Sequence, residues 1–353
     1  MTLKHSSPSP ALEKIERVLA RIVDAQSGKD VLSLGWVKDL HIHEGCVHFK
    51  LKGGVPYRRE MDLLRQHCAE ALGKIPGVTE VNIEFTAADT QAEATPVLPG
   101  VKTVIAVASG KGGVGKSTVA ANLALALQEQ KRRIGLLDCD IYGPSIPTMF
   151  GIHEQPEMTQ KDMIVPPQRY GIQLMSIGFL ATEKTPLIWR GPMVHNLLQQ
   201  FLHLIRWDNV DYLILDLPPG TGDAQLTLTQ SATLAGAIIV TTPQKVSLID
   251  ARKGLKMFDQ VHVPVLGIVE NMSYFECPEC SHRTEVFRSG GGETEANELG
   301  VPFLGRIPLD PEVVIGGDEG EPIFRSRPNS KAGQAFANLA VRVIEALEKG
   351  EIR

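Results

Sequence analysis

No stretch of about 18 uninterrupted apolar residues occurs in this chain of 353, so a membrane-spanning helix is not expected. Basic tracts are missing as well: 36 Lys and Arg stand against 41 Asp and Glu, for a formal charge of −5. Sequence-independent nucleic-acid binding needs clustered cations to displace counterions, and that class of partner is not expected either. The segment Met1 to Pro10 is rich in Ser and Pro and lacks the apolar core of a secretory signal, which predicts a cytoplasmic address. Cysteine is scarce. Five residues, Cys46, Cys68, Cys139, Cys277 and Cys280, are an odd number and mostly scattered, which argues against a disulfide framework. Only Cys277 and Cys280 have a spacing that suggests chemistry.

What is present describes a soluble globular protein, 43% hydrophobic and 22% charged, and too long for a single ordinary domain. Residues 1–10 read as a disordered start. Residues 11–85 read as a small α+β domain: an amphipathic helix from Ala11 to Asp24, a hairpin from Val37 to Leu51 turning at Glu44-Gly45, a second helix from Arg58 to Leu72, and a last strand from Val78 to Phe85. A two-residue turn sets His43 opposite Cys46 and His41 opposite His48, four potential metal ligands on one face, with Leu40, Ile42, Val47 and Phe49 on the other. The apolar face is expected to pack on the helices, leaving the histidine face wet. Residues 86–100, rich in Ala, Thr and Pro, read as a linker to a second domain over 101–353.

That second domain is predicted to be α/β, a mostly parallel sheet with helices on both faces. Continuous apolar runs recur at Val104–Ala108, Ile134–Leu137, Ile172–Met175, Tyr212–Leu215, Ala237–Val240, Val265–Val269 and Phe303–Ile307, separated by helical stretches such as Val194–Ile205 and Leu248–Val261. After the first run comes Gly110-Lys111-Gly112-Gly113-Val114-Gly115-Lys116-Ser117, then Thr118 and a helix. Strand, glycine loop and helix with G-x-x-x-x-G-K-S spacing make a phosphate cradle of backbone N–H groups at a helix N-terminus. Lys116 would reach the β- and γ-phosphates and the Ser117 hydroxyl would sit on Mg²⁺. A nucleoside triphosphate and Mg²⁺ are the expected ligands.

Ligands in such sheets bind past the carboxyl ends of strands, where two runs carry acids. Asp138 and Asp140 share one side if their strand persists. Asp216, followed by Leu217-Pro218-Pro219-Gly220-Thr221-Gly222-Asp223, is the natural Mg²⁺-side carboxylate beside the loop serine. Lys111 adds a second ammonium group to the loop, which suits a lysine directed at the phosphates of a neighbouring subunit.

The Cys277-Pro278-Glu279-Cys280 pair admits three chemistries. A redox dithiol usually lies at a helix N-terminus, and nothing helical follows here. Structural zinc and an iron-sulfur cluster both need four ligands, and the chain has no second C-x-x-C, although His282 offers a third. A symmetric dimer supplies four when the pair lies near its two-fold axis, so stoichiometry points to a bridging site of either kind. Further on, Ser289-Gly290-Gly291-Gly292-Glu293-Thr294 lacks a following Lys-Ser and reads as a turn and cap before a helix. Asp318 to Glu321 reads as a solvated acidic loop. The stripe Phe336, Leu339, Val343 and Leu347 predicts a terminal helix packed on the sheet.

Lys111 to Thr118 resembles the deviant Walker A loop of the MinD/ParA/nitrogenase-reductase class. The stretches Leu137 to Ser145, Trp189-Arg190-Gly191-Pro192-Met193, Asp216 to Asp223, Asn271-Met272-Ser273 and the cysteine pair look like its Mrp/ApbC branch, over Val101 to Ala346. The resemblance implies a nucleotide-sandwich homodimer in which Lys111 acts across the interface. It also implies that Asp140 positions the attacking water, Asp138 lies in the outer shell of the metal, and Asp216 holds Mg²⁺ through water. Asn271, just past a strand end, would pair its amide with the adenine edge. The Mrp/ApbC likeness assigns Cys277 and Cys280 to a [4Fe-4S] cluster bridging two subunits, handed to apoprotein recipients, with scaffold proteins as further partners. In the front domain, Asp30 to Val37 and Ile75-Pro76-Gly77-Val78 resemble the small domain of the MIP18 type. That family usually has Pro where this chain has Ala25, and often a Cys where it has Gly54-Val55-Pro56-Tyr57, so a docking or regulatory role is what the likeness leaves. Two rival functions are a MinD/ParA-like positioning ATPase and an ATP-driven iron-sulfur reductase.

Overall fold

The computed structural model describes residues 10–22, 30–33, 36–43, 45–52, 67–86, 98–141, 143–159, 163–179, 198 and 201–349. The Trp189–Met193 motif, Tyr142, the first half of the helix expected from Arg58 and most of the expected linker lie outside them. The chain divides into two compact units, Met1–Ala94 and Thr95–Arg353.

In the front unit, helix α1 (Pro10–Leu19) precedes strands β1 (Val37–His43), β2 (Cys46–Lys52) and β3 (Glu80–Thr86), with a helical segment over 67–72 before β3. The β1–β2 pair is antiparallel, with His41 opposite His48 and His43 opposite Cys46, the register a two-residue turn dictates. Strand β3 joins β2 in parallel. Alternation sends Val47, Phe49, Leu51 and Ile83 into a core with Ile15 and Leu19 of α1 and with Cys68 and Leu72. Burial pushes the Cys68 thiol up to about 11, so it behaves as a small core hydrophobe.

The second unit is built on an eight-stranded sheet. Its strands are β4 (Val101–Ala108), β5 (Ile134–Asp138), β8 (Gln168–Arg169), β9 (Ile172–Ser176), β10 (Val210–Asp216), β11 (Gly236–Thr241), β12 (Val265–Glu270) and β15 (Phe303–Arg306). They run in the order β15-β12-β11-β4-β10-β5-β9-β8, all parallel except the edge strand β8. Two short ribbons stand apart, β6 (Glu157–Met158) with β7 (Ile164–Val165), and β13 (Phe275–Glu276) with β14 (Arg283–Thr284).

Every residue of β5, β11 and β12 is buried, which is why these strands read as unbroken apolar runs. Alternate residues feed different cores: Val104, Ala106 and Ala108 face one, Ile105 and Val107 the other. The second core holds α2 (Lys116–Glu129), whose many alanines let it lie close against the sheet and beneath the terminal helix α9 (Lys331–Lys349). Phe336, Leu339 and Val343 of α9 are buried there. The other helices are α3 (Ile146–Met149), α4 (Asp223–Ser231), α5 (Lys245–Gln260), α6 (Gly291–Leu299), α7 (Pro311–Asp318) and α8 (Ile323–Ser326). Strands β4, β5, β10 and β12 all end at the same edge of the sheet, and there the site forms.

Candidate functional site

The glycine loop sits between β4 and α2, at the centre of that edge. Gly115 adopts φ +80° as the cap of α2, a conformation that costs an L side chain about 1–2 kcal/mol, and a Cβ there would collide with the Asn271 amide. Gly110 lies so close to the backbone of Asp250 in α5 that no side chain fits. These two contacts explain why glycine is needed at both ends of the loop. A cavity of about 370 Å³ opens above it, lined by Lys111, Gly112, Gly113, Gly115, Lys116, Ser117 and Thr118 of the loop, and by Asp140, Ser145, Met149 and Pro219.

Beneath the loop the charges are closed on one another. Lys116 Nζ donates to Asp216 Oδ1 at 2.5 Å and to Ser117 Oγ at 3.2 Å. Asp216 is fully buried and its carboxyl is raised above the usual carboxylate range, because burial outweighs the stabilising Lys116 and Ser117. Its other oxygen, Oδ2, has no hydrogen-bond partner. A buried oxygen left without a donor, next to the Ser117 hydroxyl, fits a hydrated Mg²⁺, which takes oxygen ligands and keeps several waters.

Asp138 and Asp140 part company. Asp138 Oδ1 accepts from Asp140 N at 3.1 Å, and Oδ2 accepts from Ser145 N at 3.0 Å, Ile146 N at 3.1 Å and Ser176 Oγ at 3.1 Å. The carboxyl is thus spent on holding the 140–146 turn and the start of α3. Burial, with Asp216 as the next cause, raises it to about 7 against these donors. Asp140 instead lines the cavity, its Oδ1 accepting from Gly143 N at 3.2 Å. Asn271 lies behind the loop, not open to it: Nδ2 donates to the Val114 carbonyl at 2.9 Å and the residue is 6% exposed.

The cysteine pair lies on the β13–β14 ribbon that follows β12. Cys277 N donates to His282 O at 3.0 Å and Ser281 N to Cys277 O at 2.9 Å, closing a tight turn. The backbone N–H groups of Cys280 and Glu279, followed by the Cys280 thiol, hold the Cys277 thiol below its ordinary value. N–H groups aimed at a sulfur favour the thiolate, the form that ligates metal. Cys277 is half-buried, Cys280 is exposed, and both are free thiols. Among the described residues no group of three or more His, Cys, Asp or Glu side chains gathers to hold a metal ion.

Residues 100–344 match the family model described as the NUBPL iron-transfer P-loop NTPase, of ParA type. The chain belongs to this family. Residues 12–84 match a second model, the iron-sulfur cluster assembly protein. An iron-sulfur cluster carrier protein of Synechocystis is 46% identical over 92% of this chain and 95% of its own length. The mouse iron-sulfur cluster transfer protein NUBPL is 46% identical over 71% of this chain and 79% of its own. Among solved structures, a nucleotide-binding protein from Archaeoglobus fulgidus in complex with ADP is 41% identical with a TM-score of 0.56, covering 63% of this chain and 87% of that one. A MinD cell division ATPase of Pyrococcus furiosus, at 23% identity and a TM-score of 0.53, shares the fold over 69% of this chain and 98% of its own.

In this iron-transfer NTPase one wall of the nucleotide cavity lies outside the sequence motifs. Val313, Val314, Gly317 and Asp318 of α7 close it from across the fold, so the acidic stretch read as merely solvated contributes Asp318 to a rim. The Asp310-Pro311 pair is the signal: Asp310 caps α7 by accepting from Glu312 N, with Pro at the first helical position. The second glycine loop is filled from within, since Gly290 N and Gly292 N donate to the buried Glu270 carboxylate at 2.9 and 2.5 Å. It is a turn and cap. In the front unit, the His41 and His48 rings stack at 5.3 Å and His41 Nδ1 meets Asp39 O at 2.7 Å.

Proposed function

We propose that this NTPase is an ATP-dependent iron-sulfur carrier: it binds ATP with Mg²⁺, hydrolyses it slowly, holds a [4Fe-4S] cluster as cargo at a homodimer interface, and hands the cluster to apoprotein recipients. One observation carries the reading. The same unit holds a nucleotide cradle and an incomplete thiol site, two cysteines on one tight turn where backbone N–H groups favour the thiolate of Cys277. A cluster needs four thiolates or close substitutes, so a second copy of the chain completes the site by two-fold symmetry. The names of the relatives supply the cargo.

In the cradle, Mg²⁺ held by Ser117 and by Asp216 through water would neutralise charge on the β- and γ-phosphates. Lys116 would leave Asp216 for those phosphates, Asp140 would orient the attacking water, and Lys111 would reach the partner's nucleotide. Asp138 keeps the 140–146 turn in place for that role. Scaffold proteins that load the cluster are the further partners, and neither membrane nor nucleic acid takes part; the site of action is the cytoplasm.

The test is anaerobic reconstitution with iron and sulfide of the wild type and of a Cys277→Ala/Cys280→Ala pair, read by absorbance, iron content and transfer to an apoprotein. The wild type is expected to take up one cluster per dimer and the variant none. Equal iron in both would place the cargo elsewhere.

A further inference from the structure

Asn271 stands six positions before Cys277, and its side chain is bonded to the nucleotide loop. We infer that Asn271 is a positioning residue whose amide, clamped on the Val114 carbonyl, transmits the state of the nucleotide loop to the Cys277 turn. The inference rests on the carrier reading for its purpose, but its geometry stands on contacts internal to one unit.

The clamp is tight and buried. Asn271 Nδ2 reaches Val114 O at 2.9 Å, and the underside of Gly115 rests on the same amide, so a shift of the loop cannot bypass it. Asn271 N is itself fixed to Thr241 O at 2.8 Å. The segment that follows is stiff as well. Met272 adopts φ +54°, Ser273 N donates to Ile307 O at 3.0 Å, Ser273 Oγ donates to the buried Glu270 at 2.5 Å, and Leu309 N donates to Tyr274 O at 2.7 Å. Phe275 and Glu276 then pair into the ribbon that carries Cys277.

A second limb returns to the nucleotide. A cavity of about 420 Å³ beside Cys277 is walled by Phe275, Pro278, Pro311 and Glu312, and Pro311 and Glu312 open α7. From the very next residue of the same helix, Val313, Val314 and Gly317 wall the nucleotide cavity. The cysteine turn and the phosphate cradle therefore share one helix and one clamped strand end.

Coupling needs an element with two arrangements, and the loop has one. In this structure Lys116 is held by Asp216; with ATP bound the same ammonium group serves the phosphates. The Val114 carbonyl, two residues before Lys116, reports which arrangement is present, and Asn271 is its partner.

The experiment uses the full chain without cluster. Maleimide labelling of each cysteine is followed by peptide mass, with and without Mg-ATP. Mg-ATP is expected to change the labelling rate at Cys277 about fivefold or more, within the usual span of coupling between sites, and to leave Cys46 unchanged. In Asn271→Ala, at saturating Mg-ATP, the ratio at Cys277 falls to near one. Asn271→Asp, which keeps the shape and loses the donor, does the same. Should these variants lose ATP binding, Met272→Gly carries the test, because it leaves the amide in place and frees the backbone between loop and ribbon; its ratio drops partway. No nucleotide effect in the wild type, or a wild-type ratio in the nucleotide-binding variants, overturns the inference. Because labelling needs no cluster, that failure is distinct from failure of the reconstitution, which alone bears on the carrier reading.

Discussion

Lys116 and Asp216 are 6% and 0% exposed and satisfy each other inside one chain, whereas Cys277 and Cys280 sit on a surface turn with two ligands and no third among the described residues. The difference follows from what each site must do. A phosphate cradle works by backbone dipoles already aimed where the phosphates arrive, with the Lys116–Asp216 pair the part left to rearrange, so it belongs at the buried end of a parallel sheet. A cargo site must give its cargo up. On the proposed carrier reading, Cys277 and Cys280 of two copies would form such a site, and a short ribbon outside the core could open without disturbing it.

The contrast breaks most sharply at Lys116. Lys116→Ala leaves Asp216 as a buried carboxyl without its partner, and breaking such a pair costs on the order of 3–5 kcal/mol. Tight ATP binding is expected to vanish and the thermal midpoint to drop by several degrees, whereas Cys277→Ala/Cys280→Ala leaves that midpoint unchanged. Calorimetry and a nucleotide-binding titration check both. A Lys116 variant as stable as the cysteine variant would show that the buried pair contributes nothing. Next in size is Lys111→Ala. Lys111 lines the cavity but closes no buried pair, so ATP should still bind while turnover falls on the order of 10³-fold, as when a charge-stabilising finger is removed. Normal turnover would remove the idea of a lysine acting across a dimer.

How much of this was legible beforehand depended on whether a residue's role was local. The strands could be read because burial on both faces leaves continuous apolar runs, and the loop because its glycines, lysine and serine lie within eight positions. The hairpin register followed from a two-residue turn. Asp138 was not legible. Period-two alternation treats Asp138 and Asp140 alike, and only the fold shows Asp138 consumed by the N–H groups of 140, 145 and 146. Asn271 shows a similar limit: an amide past a strand end suits an adenine edge, while its bond to the Val114 carbonyl, 157 residues away, is visible only in the fold. The α7 wall also required tertiary contact to be seen, although its Asp-Pro cap was in plain view.

The smallest effect sharpens the comparison through pH. Folded Asp138 keeps its proton up to about pH 7, while the unfolded carboxyl releases it near 3.8. Between those values the folded state binds more protons, so stability falls as pH rises, and the contribution present below about pH 4 is lost through pH 7, a few kcal/mol at most. Carboxylates held low by cations, such as Asp211 beside Arg133 and Lys102, lose their stabilisation only in strong acid, outside this window. The urea midpoint of the nucleotide-free protein should therefore decline from pH 5 to pH 8. Asp216→Asn removes the charge that helps raise Asp138 and should flatten that decline. A wild-type midpoint that is level or climbs over this range would mean that the acids beneath the loop are ionised throughout, and that the cradle is no more enclosed than the cysteine turn.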